Sequence, residues 1–168
     1  QGVGPSANAS VPTTDINGVA RSGATANPGA FEADGFVAPT ITTQTIGPVG
    51  RDYATFTLAE ASLPAEDITF TNRAFVFEAD AATYSESVPF SSSLTTDATR
   101  NVTYRPASGS EHGGSLSAGV IVSGSSGNTA GLYDDFINFE GIVLKSSASY
   151  AIAIGADGVT VDGLVLAN

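Results

Sequence analysis

Two acidic side chains, Glu140 and Asp162, and one base, Lys145, are the residues of this chain whose types and spacing suggest a reaction. They lie in a segment that nearly repeats itself: Asp135-Phe-Ile-Asn-Phe-Glu-Gly-Ile-Val-Leu144 returns 22 residues later as Asp157-Gly-Val-Thr-Val-Asp-Gly-Leu-Val-Leu166. Glu140 and Asp162 hold equivalent places in the two copies. If the copies are neighbouring strands, the two carboxylates sit roughly 5 Å apart, near the separation a retaining glycosidase uses for its nucleophile and its general acid. A polysaccharide lyase or hydrolase would add a base, and Lys145 is the nearest one. Acidic residues on an outward strand face also do no more than keep a surface solvated and blunt its edges, and that is the preferred reading of the pair.

Other candidates read as turn chemistry. Asp134 and Asp135 precede one copy, and Asp157-Gly158 opens the other. Carboxylates at such a corner suit Ca²⁺, but no loop has the regular ligand spacing of a calcium site. Asp before Gly is common turn chemistry, because Asp caps nearby backbone and Gly accepts positive φ. His112 is the sole histidine and there is no cysteine, so a zinc site has no ligand set; Ser110 lies too close in sequence to His112 to suggest a triad. The "SGSSGNTAG" segment lacks the Lys and helix of a phosphate loop. No metal or cofactor site is expected. Arg51, Arg73, Arg100 and Arg105 are expected to pair with local carboxylates such as Asp52, Glu78 and Asp97.

Composition narrows the partners. Six basic against seventeen acidic residues give a formal charge of −11, which repels nucleic-acid backbones and anionic membrane surfaces. No apolar run approaches the roughly 18 residues of a membrane-spanning helix. Abundant Ser, Thr, Gly and Ala with short Val, Ile and Phe clusters point to an all-β fold rich in turns.

The elements that must position these residues follow from periodicity. Residues 1–50 hold five of the eight prolines and few large apolar side chains, and read as an extended arm that attaches to something else. Residues 51–67 read as a short capping helix, with Thr57-Leu-Ala-Glu60 as its capping box, Phe56, Leu58 and Leu63 towards a core, and Pro64 as its stop. From residue 68 the chain reads as strands at Ile68–Phe70, Ala74–Ala79, Val102–Arg105, Val120–Val122, Phe136–Leu144, Tyr150–Ile154 and Val159–Leu166, with large side chains in alternation.

Repeats of about 20 to 29 residues mark solenoids. The ladder of a leucine-rich repeat is absent, so the expected fold is a parallel β-helix in which Phe139 lies over Val161, and Gly141 and Gly163 make the bend between two strands of one coil. A coil ending at Leu166–Asn168 would expose its cross-section, so further coils or another subunit are expected beyond it.

The stretch from Ile46 to Asn168 resembles the amino-terminal coils of right-handed parallel β-helix proteins, of the pectate-lyase-like type, in the virions of tailed bacteriophages. The segments that carry the resemblance are "IGPVGRDYATFTLAEASLP", "TNRAFVFEADA", "TTDATRNVTYRPASGSEHGG" and "DDFINFEGIVLKSS". Residues 13–34 separately resemble a short motif that often closes β-helix domains of surface and secreted proteins, although here it precedes the helix.

The resemblance implies a structural virion component without enzymatic activity, the virion-proximal part of a tail fibre or tail spike involved in host attachment. It implies a homo-trimer located in the extracellular particle, contacts with other virion proteins through residues 1–50, and possible binding of host surface polysaccharide. Alternatives are a capsid decoration or head fibre protein, a β-helix polysaccharide lyase or hydrolase, and a secreted bacterial adhesin.

Overall fold

The computed structural model describes residues 37–167, and from Ala38 onward the chain is one compact unit. Its first element is strand β1 (Thr40–Ile46), which falls inside the segment read as an arm. The reason is local: Thr-Ile-Thr-Thr-Gln-Thr-Ile is dominated by β-branched residues, which favour an extended backbone despite the flanking prolines. Residues 1–36, including the whole motif at 13–34, lie outside the described residues.

The next two elements are helices. Helix α1 (Phe56–Ala61) starts at Thr55, whose hydroxyl accepts the Leu58 N–H at 3.2 Å. The expected cap, Thr57, is instead inside the first turn. A carboxylate far along the chain completes this terminus: Glu86 accepts from the Phe56 N–H at 2.9 Å and the Thr57 N–H at 3.0 Å. Phe56 is buried as expected, whereas Leu58 is 53% exposed. Helix α2 (Ile68–Thr71) replaces the strand expected at Ile68–Phe70. Asp67 caps it by accepting from the Thr69 and Phe70 N–H groups, and Asn72 ends it in the left-handed region.

Eleven further strands follow: β2 (Arg73–Ala79), β3 (Thr83–Tyr84), β4 (Val88–Phe90), β5 (Val102–Pro106), β6 (Ile121–Gly124), β7 (Ala130–Leu132), β8 (Ile137–Glu140), β9 (Val143–Ser146), β10 (Ile152–Ile154), β11 (Thr160–Asp162) and β12 (Val165–Ala167). They form an all-β protein with three sheets among the described residues, ordered β1-β2-β5-β8-β11, β3-β6-β9-β12 and β4-β7-β10. Every strand pairing is parallel. Parallel neighbours cannot be joined by a tight hairpin. From β2 onward the chain leaves one sheet, adds a strand to each of the other two, and returns beside its previous strand.

The 22-residue spacing is the observed register. Phe139 pairs with Val161 and Glu140 with Asp162 across β8 and β11, while Val143 and Leu144 pair with Val165 and Leu166 across β9 and β12. The bend between β8 and β9 is Gly141 at φ 59°, and the bend between β11 and β12 is Gly163, also at 59°. A second equivalent pair is less symmetrical. Phe136 takes φ 52°, an uncommon conformation for a bulky residue, and its counterpart Gly158 takes 65°. A Cβ at position 158 would lie 2.4 Å from the Phe136 ring, so glycine is required there twice over.

Inward side chains stack in columns. Phe77, Tyr104, Phe139 and Val161 form one, in which the Phe77 and Tyr104 rings are stacked with centroids 4.9 Å apart and an interplanar angle of 10°. Phe90, from another sheet, meets Tyr104 and Phe139 edge-on at 4.7 and 5.3 Å. Such aromatic pairs are each worth about 0.5–1.5 kcal/mol beyond the area they bury. Tyr84, Val122 and Leu144 make an equivalent buried column in the β3-β6-β9-β12 sheet.

Candidate functional site

The five-stranded sheet brings Glu140 and Asp162 together. They are in-register partners at the ends of β8 and β11, with Glu140 half-buried and Asp162 exposed. On the strands before them, Arg105 pairs in register with Glu78 and donates to its carboxylate at 2.8 Å. A charged row thus runs along the outer face of this sheet, and its one cation is already paired with Glu78. Lys145 does not join the acidic pair. It lies beyond the Gly141 bend on β9, in a different sheet, in register with Ser123 and Ala167.

The acidic corner is built into the turns. Asp134 accepts from both the N–H and the hydroxyl of Ser92. Asp135 accepts from the Asp157 N–H at 2.8 Å, and its carbonyl accepts from the Thr96 hydroxyl at 2.8 Å. These bonds tie one winding of the chain to the next. Among the described residues no group of three or more His, Cys, Asp or Glu side chains is arranged to hold a metal ion.

His112 is also engaged. Its Nδ1 accepts from the Gly114 N–H at 2.8 Å, so its Nε2 carries the proton and donates to the Gly163 carbonyl at 2.6 Å. The imidazole pins the loop after β5 to the Gly163 bend. The arginines pair as Arg51–Asp80, Arg73–Glu66, Arg100–Asp97 and Arg105–Glu78. Asp52, expected to take an arginine, accepts from the Thr45 N–H and hydroxyl instead, which lowers its pKa.

Among the described residues, Glu60 is the carboxylate whose pKa is clearly raised. Read from sequence as a capping-box member, it turns inward from α1 and is largely buried, accepting from the Tyr104 hydroxyl and from the Ser91 N–H at 2.9 Å. Burial pushes its pKa up to about 6, against the opposing effect of the Tyr104 hydrogen bond, and the nearby Asp134 carboxylate raises it further. Tyr104 is fully buried, and burial together with the Glu60 charge holds its phenol well above the ordinary value. The signal in the sequence was spacing: Glu60 lies four residues after Phe56 and so shares its buried helical face.

A second feature absent from the sequence reading is Tyr133, 47% exposed just after β7. It lines two clefts. One, of about 210 Å³, includes Ser87, Pro89, Asn128 and Gly131; the other, of about 280 Å³, includes Thr95, Thr96, Asp134 and Asp135. Neither Glu140 nor Asp162 lines either cleft.

These features define the chain as an all-β protein of parallel sheets with a buried carboxylate–tyrosine pair. No protein-family model matches it, and no curated protein or solved structure is significantly similar.

Proposed function

We propose that the chain is a right-handed parallel β-helix and serves as a structural component of a tailed-phage virion, the virion-proximal part of a tail fibre or tail spike engaged in host attachment. The observation that carries this reading is the column of in-register residues Phe77, Tyr104, Phe139 and Val161, drawn from four successive strands of one parallel sheet. In this reading each winding lays its strands on those of the winding before, so the rod would extend along one axis and resist bending across it. The right hand is the one that strand twist imposes on nearly all parallel crossovers. Residues 1–50 would join the rod to other virion proteins, with β1 as the end of that segment that enters the sheet. A homo-trimer is the assembly proposed.

The test is immunogold labelling of purified particles with an antibody to this chain, together with the sedimentation mass of the isolated protein. Label on the tail and a trimer mass are expected. Label on the head transfers the reading to a capsid decoration or head fibre, and absence from particles, with the protein on a bacterial surface, makes it an adhesin. An enzymatic reading is favoured only by the pairing of Glu140 with Asp162. Reducing-sugar release from host capsule that disappears in Glu140→Gln would establish it.

A further inference from the structure

We infer that Tyr133 and the two clefts beside it form a binding site for an uncharged pyranose glycan. The inference does not rest on the virion reading, since it concerns only the clefts lined by β4, β7 and the loops beside them.

The first observation is how the ring is held. A Cβ at Gly131 would lie 2.5 Å from Tyr133 Cε2, and one at Gly155 would lie 3.0 Å from Cδ1, on the opposite edge of the ring. The ring therefore fills space that only two glycines leave open, one on β7 and one just after β10. Yet it stays 47% exposed. An aromatic ring fixed in place and still presented to solvent has lost its side-chain freedom before any ligand arrives, which lowers the cost of binding. Its negative π-face attracts the C–H edge of a saturated ring.

The second observation is what surrounds it. Tyr133 is the common wall of the two clefts, so polar groups lie on either side of one aromatic surface. Asn128 and Ser87 stand on one side, and Thr95 and Thr96 on the other. Asp134 uses one carboxylate oxygen for Ser92, and Asp135 uses one for the Asp157 N–H; the second oxygen of each takes no hydrogen bond among the described residues. Sugar hydroxyls donate to such acceptors. The clefts, of about 210 and 280 Å³, are smaller than the roughly 300–1,000 Å³ of sites that enclose a drug-sized ligand, and each suits a single sugar ring. With a net charge of −11 and two carboxylates at the site, an anionic glycan is disfavoured.

The experiment uses the full chain and three probes, maltohexaose, cellohexaose and xylohexaose, followed by saturation-transfer NMR. Transfer to the ring C–H protons of at least one probe is expected, kept in Tyr133→Phe and weakened about tenfold, or ~1.4 kcal/mol, in Tyr133→Ala. Gly155→Ala, which displaces the ring without removing it, should weaken binding as well while the circular dichroism spectrum is unchanged. Absence of transfer from all three probes overturns the proposal, as does transfer that survives both Tyr133→Ala and Gly155→Ala. Binding of an oligoproline peptide at Tyr133 in place of the sugars would also overturn it and assign the clefts to a peptide.

Discussion

Raising the pH from 4.5 to about 6 should weaken the fold through one residue, Glu60. Its carboxyl has a pKa of 4.5 when solvated and about 6 in the folded protein, chiefly because burial disfavours the charge. At about 1.4 kcal/mol per unit, the rise corresponds to about 2 kcal/mol. The sign follows from proton counting. Between these two values the folded protein keeps a proton that the unfolded chain has released, so a rising pH favours the unfolded state. Below pH 4.5 the carboxyl is protonated in both states and the penalty is absent; above about 6 it is present in full. The other shifted carboxylates act elsewhere: Asp97, at about 2, and Asp52 and Asp67, also lowered, lose their stabilising effect only as the pH falls below their ordinary value of 3.8. The assay is urea unfolding at pH steps across this window, for the native chain and for Glu60→Gln, whose amide has no proton to exchange. The native chain should lose about 2 kcal/mol relative to the variant as the pH rises. The quantity compared is the slope, because the amide also alters the bond to Tyr104. Parallel stability profiles for the two proteins would refute the burial argument.

Three pairs of substitutions test the packing, the bend and the helix cap, each read from urea midpoints. Phe139→Ala, in the middle of its column and fully buried, should cost about 3–5 kcal/mol, whereas Val161→Ala, in the same column but 39% exposed, should cost about 1 kcal/mol or less. Equal losses would mean that the column is not the core. Gly141→Ala should cost about 1–2 kcal/mol for its positive φ alone, and more because its Cβ would lie 3.2 Å from Pro106. Gly50→Ala, with similar φ but open space, should cost less, and the reverse order would contradict the bend. Thr55→Ala should cost about 1 kcal/mol as the loss of a helix cap. Glu86→Ala should cost more, since its carboxylate accepts from two backbone N–H groups of the same turn; a smaller loss would show that the long-range cap is idle.

The sequence by itself determined the β class, the bends at Gly141 and Gly163, and the register of the last two windings. A repeat of 22 residues aligns side chains of one size and one charge, and parallel strands pair like with like. It could not supply the register of the earlier windings. Phe75, Val102 and Ile137 stand in one column at unequal intervals along the chain, because the loops between them differ in length, so no period betrays them. The short strands Thr83–Tyr84, Val88–Phe90 and Ala130–Leu132 carry too few residues to show alternation, and β1 was hidden by the flanking prolines and its own polar residues. Only the tertiary structure decided the fate of the carboxylates. Glu86 reached α1 to cap it, Glu60 turned inward to Tyr104, and Lys145 passed round the bend away from Glu140. Local pattern fixes which face of a strand is apolar; which charge meets which partner depends on chain segments distant in sequence, brought together only when the windings stack.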